Sequence, residues 1–348
     1  MDPGLARRAG LAAAFCAAPL LSGCYYGHLM HGQYDLLSRR EPIDQLIARP
    51  DTDPALKVRL QHALEARRFA TRELGLPDNG SYTQYADLGR PYAVWNVFAA
   101  PELSLQGHEW CYPMLGCLAY RGFYDPQRAA DAAQALREEG LETFVAGIAA
   151  YSTLGWFDDP LLNTIGEAED VIAGTIFHEL AHQVVFAKGD TAFNESFATF
   201  VEQEGLRRYL KDAPGLAQAA RERQQRQAAF VAMVLGCRQR LEAVYAGAAA
   251  DAEKRERKRA EFDRLRRDYL ALKESWGGDD DYDGWFTGEL NNARLLPFGL
   301  YHAWVPAFAA LFREKNGDWP LFYKAVAELA DLDADARRKR LEELGRLG

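Results

Sequence analysis

The chain has 348 residues, 48% of them hydrophobic, and sets 50 acidic side chains against 41 basic ones for a net charge of −9. That acid surplus argues against a nucleic-acid binder, whose affinity rests on basic patches. The length suits one large domain or two intimate ones, with no internal repeat and no long low-complexity linker.

The first stretch concerns export. Arg7 and Arg8 precede an apolar run from Ala9 to Leu21. It is too short to cross a bilayer, which takes about 20 residues, and it fits the apolar region of a signal peptide. Leu21-Ser22-Gly23-Cys24 resembles the bacterial lipobox, which implies cleavage before Cys24 and a lipid on that residue; a plain secreted protein is the alternative. Tyr25 rather than an Asp after the cysteine fits outer-membrane delivery, by resemblance to lipoprotein sorting. The expected address is the cell envelope, on the periplasmic face of the outer membrane rather than the inner one. No other stretch reads as a span, so the lipid is the only membrane contact expected. Removing residues 1–23 takes away Asp2, Arg7 and Arg8, leaving 325 residues with 49 acids and 39 bases, a net charge near −10.

Residues 24–33 read as a tether. Residues 34–47 and 55–75 read as helices, with Leu56, Leu60, Leu64 and Leu74 near helical spacing and Pro77 closing the second. From about 82 to 125 the pattern turns to strand: 92–98 and 117–124 are rich in aromatic and branched residues and flanked by Pro and Gly. Cys111 and Cys117 are a plausible disulfide in an oxidising compartment, while Cys237 stays free as a small buried residue. Residues 126–139 return to helix. Thr143 to Trp156 then reads as a strand whose last part, 151–157, is expected to be the sheet edge on which an extended peptide pairs, which makes Gly155 and Trp156 substrate-binding candidates. Asp158 and Asp159 follow at the rim, where either can meet a free α-amine or simply form a turn before Pro160.

Next comes His178-Glu179-Leu180-Ala181-His182. On a helix two histidines four apart share a face and can grip one metal ion, and the Glu beside the first can act on metal-activated water. Glu167, Glu169 and Asp170 complement the start of this helix, and Val171, Ile172, Ile176, Phe177 and Leu180 make it apolar enough to be buried. A catalytic zinc needs a third protein ligand and an open position. Glu195 is best placed, with Asp190, Glu202 and Glu204 as other carboxylates downstream; Glu202, two turns on, could share its face as an outer partner. The expected cofactor is a single Zn²⁺ per chain.

Residues 195–275 read as continuously helical, with Phe262, Leu265, Tyr269 and Leu272 on one stripe of a charge-dense segment. The acidic loop 277–284 lacks EF-hand spacing. Residues 297–315 and 320–345 are closing helices. Tyr301 and His302, after Asn291 and Asn292, are candidates for the donor to a developing oxyanion. Tyr301 is taken as catalytic and Asn292 as substrate-binding.

The stretch from His178 to Gln183 with Asn194-Glu-Ser-Phe-Ala198 resembles the zinc signature of the gluzincin metalloaminopeptidases, whose second element reads Asn-Glu-Gly-Phe-Ala. More closely, the chain is similar to a family of bacterial predicted aminopeptidases, mostly lipoproteins, over about residues 24–340. That likeness rests on Tyr151-Ser-Thr-Leu-Gly-Trp-Phe-Asp-Asp-Pro-Leu-Leu162, the zinc signature and Leu290-Asn-Asn-Ala-Arg-Leu295. It implies His178, His182 and Glu195 as zinc ligands and Glu179 as general base. Two features depart from the gluzincins: the spacer from His182 to Glu195 is shorter, and the Gly-Ala-Met-Glu-Asn segment that holds the substrate amine has no match. The expected fold is α+β, predominantly helical, with a zincin-like region over 34–210, a small sheet, and a helical region over 211–348 that completes the cleft. The expected activity is a zinc peptidase of the envelope acting on peptides, an aminopeptidase first. An endopeptidase acting on envelope proteins and a silent lipoprotein interaction module are the competing readings. The oligomeric state is open.

Overall fold

The computed structural model describes residues 25–112 and 116–346. The expected signal peptide and Cys24 lie outside them. The fold is α+β, mostly helical with small sheets.

The described part opens on α1 (25–38), where a tether was expected over 24–33. It is fastened to the body: Tyr25 Oη donates to Gly122 O at 3.0 Å, and Gln33 Oε1 accepts from Tyr124 and Tyr151 at 2.7 and 2.5 Å. The helix expected over 34–47 breaks at Arg39 and Arg40, and β1 (Glu41–Pro42) and α2 (Ile43–Ala48) follow. Next, α3 (Pro54–Leu74) starts where Asp53 accepts from the Ala55 and Leu56 amides with Pro54 in the first turn, and stops at Gly75, left-handed with φ 66°. Arg67 on α3 is buried and donates to the carbonyls of Ser81, Pro77 and Asn79, clamping the loop that leads to β2 (Gln84–Ala86).

The central strand is β3 (Val94–Pro101). The hairpin β4 (Trp110–Tyr112) and β5 (Gly116–Leu118) carries the Cys111–Cys117 disulfide across its two strands. Then come β6 (Arg121–Phe123), α4 (Pro126–Glu138) capped by Asp125, and β7 (Leu141–Ile148). The order β6-β3-β7 is antiparallel throughout, with Val94 opposite Ile148 and Pro101 opposite Leu141, so β7 is an edge. The strand expected to run on to Trp156 therefore ends at Ile148. Residues 151–157 form a loop, because Leu154 and Gly155 take left-handed φ of 56° and 78°, which no strand admits. A short β8 (Leu161–Leu162) pairs parallel with β2, which also pairs with β1.

The rest is helical: α5 (Glu169–Ala181), α6 (Thr191–Tyr209), α7 (Pro214–Ala246), α8 (Asp251–Ser275), α9 (Asp283–Phe286), α10 (Asn292–His302), α11 (Val305–Glu314), α12 (Trp319–Ala330) and α13 (Ala334–Gly345). The continuous helix expected over 195–275 is interrupted twice, at 210–213 and 247–250. Phe262, Leu265 and Tyr269 of the expected stripe bury against α7 and the aromatics around Tyr282, and Cys237 is free and buried among them. The main core joins α3, α5 and α6 to α11, α12 and α13, so packing runs across the 210/211 boundary drawn from the sequence. Read through both helices, Asn292–Glu314 has the length and apolar composition of a membrane span, which the sequence reading passed over. Trp304 breaks it in two, and α10 packs on α6, β3 and α7 while α11 packs on α6 and α13.

Candidate metal centre

Two helices build the centre. α5 is apolar and buried and delivers His178 and Glu179 in its last turn, with His182 as the residue that closes it. The return to α6 is set by Asn194. Its buried amide donates to Ala187 O at 2.9 Å and accepts from Ala187 N at 2.7 Å, folding the connection back so that the next residue, Glu195, faces the histidines. Asp190 starts α6 by accepting from Phe193 N, and is itself held by Arg337 at 2.8 Å. Asp190 thus serves the fold rather than the centre. Gly205 lets the three helices close up: a Cβ there would lie 2.8 Å from the Phe177 ring and 2.9 Å from Leu74.

The two imidazoles meet edge to face, 5.0 Å between centroids. Nε2 of His178 and of His182 lie 3.4 and 3.6 Å from the same Glu195 oxygen. One ligand atom from each of the three residues lies within 4.8 Å of the others, an arrangement that could hold a metal ion. The donor set of two nitrogens and one carboxylate oxygen suits zinc. Glu202, two turns further along α6, places Oε2 3.1 Å from Nδ1 of His178. This fixes the ring and leaves Nε2 pointing at the centre. Nδ1 of His182 is buried and has no hydrogen-bond partner among the described residues.

The electrostatics follow from burial. Burial opposes the charged form of His178, but the carboxylates of Glu195 and Glu202 outweigh it and hold its pKa well above the usual histidine value. Glu195 is likewise opposed by burial, yet the two histidines bring it down to about 2. Glu179 is buried and pushed up by desolvation, with His178 and His182 pulling it back. Its carboxylate makes no hydrogen bond among the described residues.

Three aromatic or imidazole groups that surround this cluster were weakly signalled by sequence. Tyr120, in the turn before β6, is pushed up by burial and then by Glu195 and Glu179. Tyr82 is fully buried with a left-handed φ of 63°, and its hydroxyl is raised by burial and then by Glu179 and Asp159. A strained non-glycine beside a buried carboxylate is a feature of working sites, but neither tyrosine stands in a motif. His302 is lowered by burial, and it lies close enough to feel Glu202 and His178. Tyr301 is in α10, and its side chain lies outside what the structure describes.

The candidates for substrate contact divide. Gly155 abuts the Gln183 side chain next to His182, and Trp156 beside it is 65% exposed. Asp158 is exposed and accepts from Gly80 N at 3.1 Å. Asp159 is buried and taken up by the amide and hydroxyl of Thr153, at 3.0 and 2.7 Å. Asn292, expected as a substrate contact, has its side chain engaged within the fold. It is fully buried, its amide donates to the carbonyls of Pro101, Glu102 and Ser104, and its Oδ1 accepts from Tyr245. It closes the joint between β3, α7 and α10.

The sequence model of the family described as "Putative aminopeptidase" matches residues 24–341. The chain belongs to that family. The match spans the whole described fold apart from its last few residues, so the centre, the helices α10–α12 and most of α13 fall within the family's own region. No curated protein and no solved structure was found to match the chain.

Proposed function

We propose that this member of the family is a zinc-dependent peptidase of the cell envelope, trimming residues from the free N-terminus of peptides. The observation that carries the reading is the convergence of His178, His182 and Glu195 with a buried Glu179 whose carboxylate makes no hydrogen bond among the described residues. A structural site has no use for such a carboxylate.

His178, His182 and Glu195 would hold the ion. When bound, zinc polarises a peptide carbonyl and makes water acidic enough to attack near neutral pH. The chain's own groups do the rest. Glu179 takes the proton of the attacking water on its carboxylate and hands it to the leaving nitrogen; its raised pKa favours holding that proton between the two steps. Glu202 orients His178. Tyr120, whose hydroxyl is raised by burial and then by Glu195 and Glu179, joins Tyr301 and His302 as a candidate donor to the developing oxyanion. A Tyr120→Phe enzyme with unchanged kcat removes it from that role. Leu21-Ser22-Gly23-Cys24 supports lipid anchoring through Cys24, with outer-membrane delivery favoured by Tyr25.

A second reading, an endopeptidase, is favoured by one observation: the carboxylates weighed as amine anchors are already engaged, Asp159 by Thr153, Glu202 by His178 and exposed Asp158 by the Gly80 amide. A mixed peptide library and its N-acetylated copy, digested by the zinc-loaded chain and read by mass spectrometry, separates the two. Single-residue trimming of the free-amine library alone supports the aminopeptidase. Internal cuts in both libraries establish the endopeptidase instead, and no cleavage at all leaves a silent interaction module.

A further inference from the structure

We propose that the outer face of α1 lies in the membrane interface, so that the folded body sits flush on the lipid surface rather than hanging from a tether. This rests on the reading of Cys24 as the lipid-bearing residue. The helix is under way at residue 25, next to that cysteine.

Its inner face is committed to the body. Tyr25 and Gln33 hold Gly122, Tyr124 and Tyr151, His28 Nε2 accepts from Tyr124 N at 3.0 Å, and Leu36 is buried. Gly32 presses on the Tyr124 ring, where a Cβ would come within 2.2 Å. The outer face presents Tyr26, Met30 and Tyr34, 45%, 73% and 72% exposed. They recur every four residues, so they form one stripe about 12 Å long. On the other described helices the exposed large apolar side chains stand singly: Val58, Leu216, Leu270 and Leu321.

Tyrosine and methionine suit the boundary between headgroups and chains, and a helix lying there buries one apolar face. With a lipid on residue 24, one residue before α1, the start of that face is held close to the surface. The body's net negative charge disfavours attraction to anionic headgroups, so apolar contact must supply the fit. One consequence reaches the metal centre. The loop beside it is tied to α1 and its C-terminal end by Tyr151 on Gln33 and by Arg40 on Asp158 O, so its height above the lipid is fixed.

The test uses the full chain, produced and processed in a bacterial host and reconstituted in phosphatidylcholine vesicles. Mass spectrometry first reads the lipid on Cys24. An environment-sensitive dye is placed at Met30→Cys and, as control, at Leu270→Cys. The expected result is a blue shift and quenching by shallow brominated lipids at 30 and neither at 270, with Tyr26→Ser/Tyr34→Ser abolishing the signal at 30 while the protein stays on the vesicles. A lipidated chain whose two labels are equally wet overturns the proposal alone. A chain without lipid overturns the anchoring reading and the proposal with it. A blue shift at 30 that needs no vesicles and fades on dilution assigns the face to a second copy of the chain and overturns it too.

Discussion

Replacing Glu202 with alanine should weaken zinc binding about 5- to 30-fold while leaving the chain folded. The effect rests on one contact, Oε2 of Glu202 at 3.1 Å from Nδ1 of His178. A hydrogen bond to a charged group is worth about 1.5–3 kcal/mol. The Glu202 side chain is 33% exposed, so solvent screening lowers this to about 1–2 kcal/mol. At about 1.4 kcal/mol per tenfold this gives the stated loss. The bond sets which nitrogen of His178 carries the proton and where the ring points, so the loss falls on metal affinity before anything else. His182 lacks such a support among the described residues, so the change acts on one ligand only. Competition against a chromophoric chelator, at one pH, measures it in wild type and variant. An affinity within about twofold of wild type, in a variant with an unchanged melting temperature, refutes the reasoning.

Two further outcomes concern the frame. Burial pushes the Asp159 carboxyl up to about 6 from 3.8, against the pull of Thr153. A raised folded pKa means that its contribution is fully present below 3.8 and is lost as pH rises to about 6, a change of about 3 kcal/mol. Asp159→Asn should therefore gain on wild type in urea melts as pH goes from roughly 4 to 7; a difference that does not move with pH contradicts this. Gly205→Ala should lower the melting temperature, because overpacking against Phe177 and Leu74 costs about 1–3 kcal/mol and exceeds the roughly 0.5–1 kcal/mol gained in helix propensity. A raised melting temperature would show that the three helices have slack.

Local chemistry was the legible part. The helices expected over 55–75 and 126–139 form as Pro54–Leu74 and Pro126–Glu138, because their ends are set by neighbouring residues, and the four-residue spacing of His178 and His182 needs only helical geometry. What failed depends on distant contacts. α1 carries apolar residues on both faces, so it shows no clean period, and its bonds reach across to Gly122, Tyr124 and Tyr151. Residues 151–157 have the composition of a strand, yet Leu154 and Gly155 turn left-handed. Asn292 reads as a polar site residue until its three carbonyl partners come together from β3 and the loop after it. Tyr120 carries no motif at all, and only the fold brings it into the field of Glu195 and Glu179.

The most direct test of the central claim pairs two readouts on Glu179→Gln: zinc content by elemental analysis and hydrolysis of free-amine peptides at saturating substrate. The account predicts one zinc per chain in wild type and variant alike, with kcat reduced about 10²- to 10⁴-fold, the range for a lost general base. Hydrolysis at the wild-type rate by a zinc-loaded Glu179→Gln chain would contradict it.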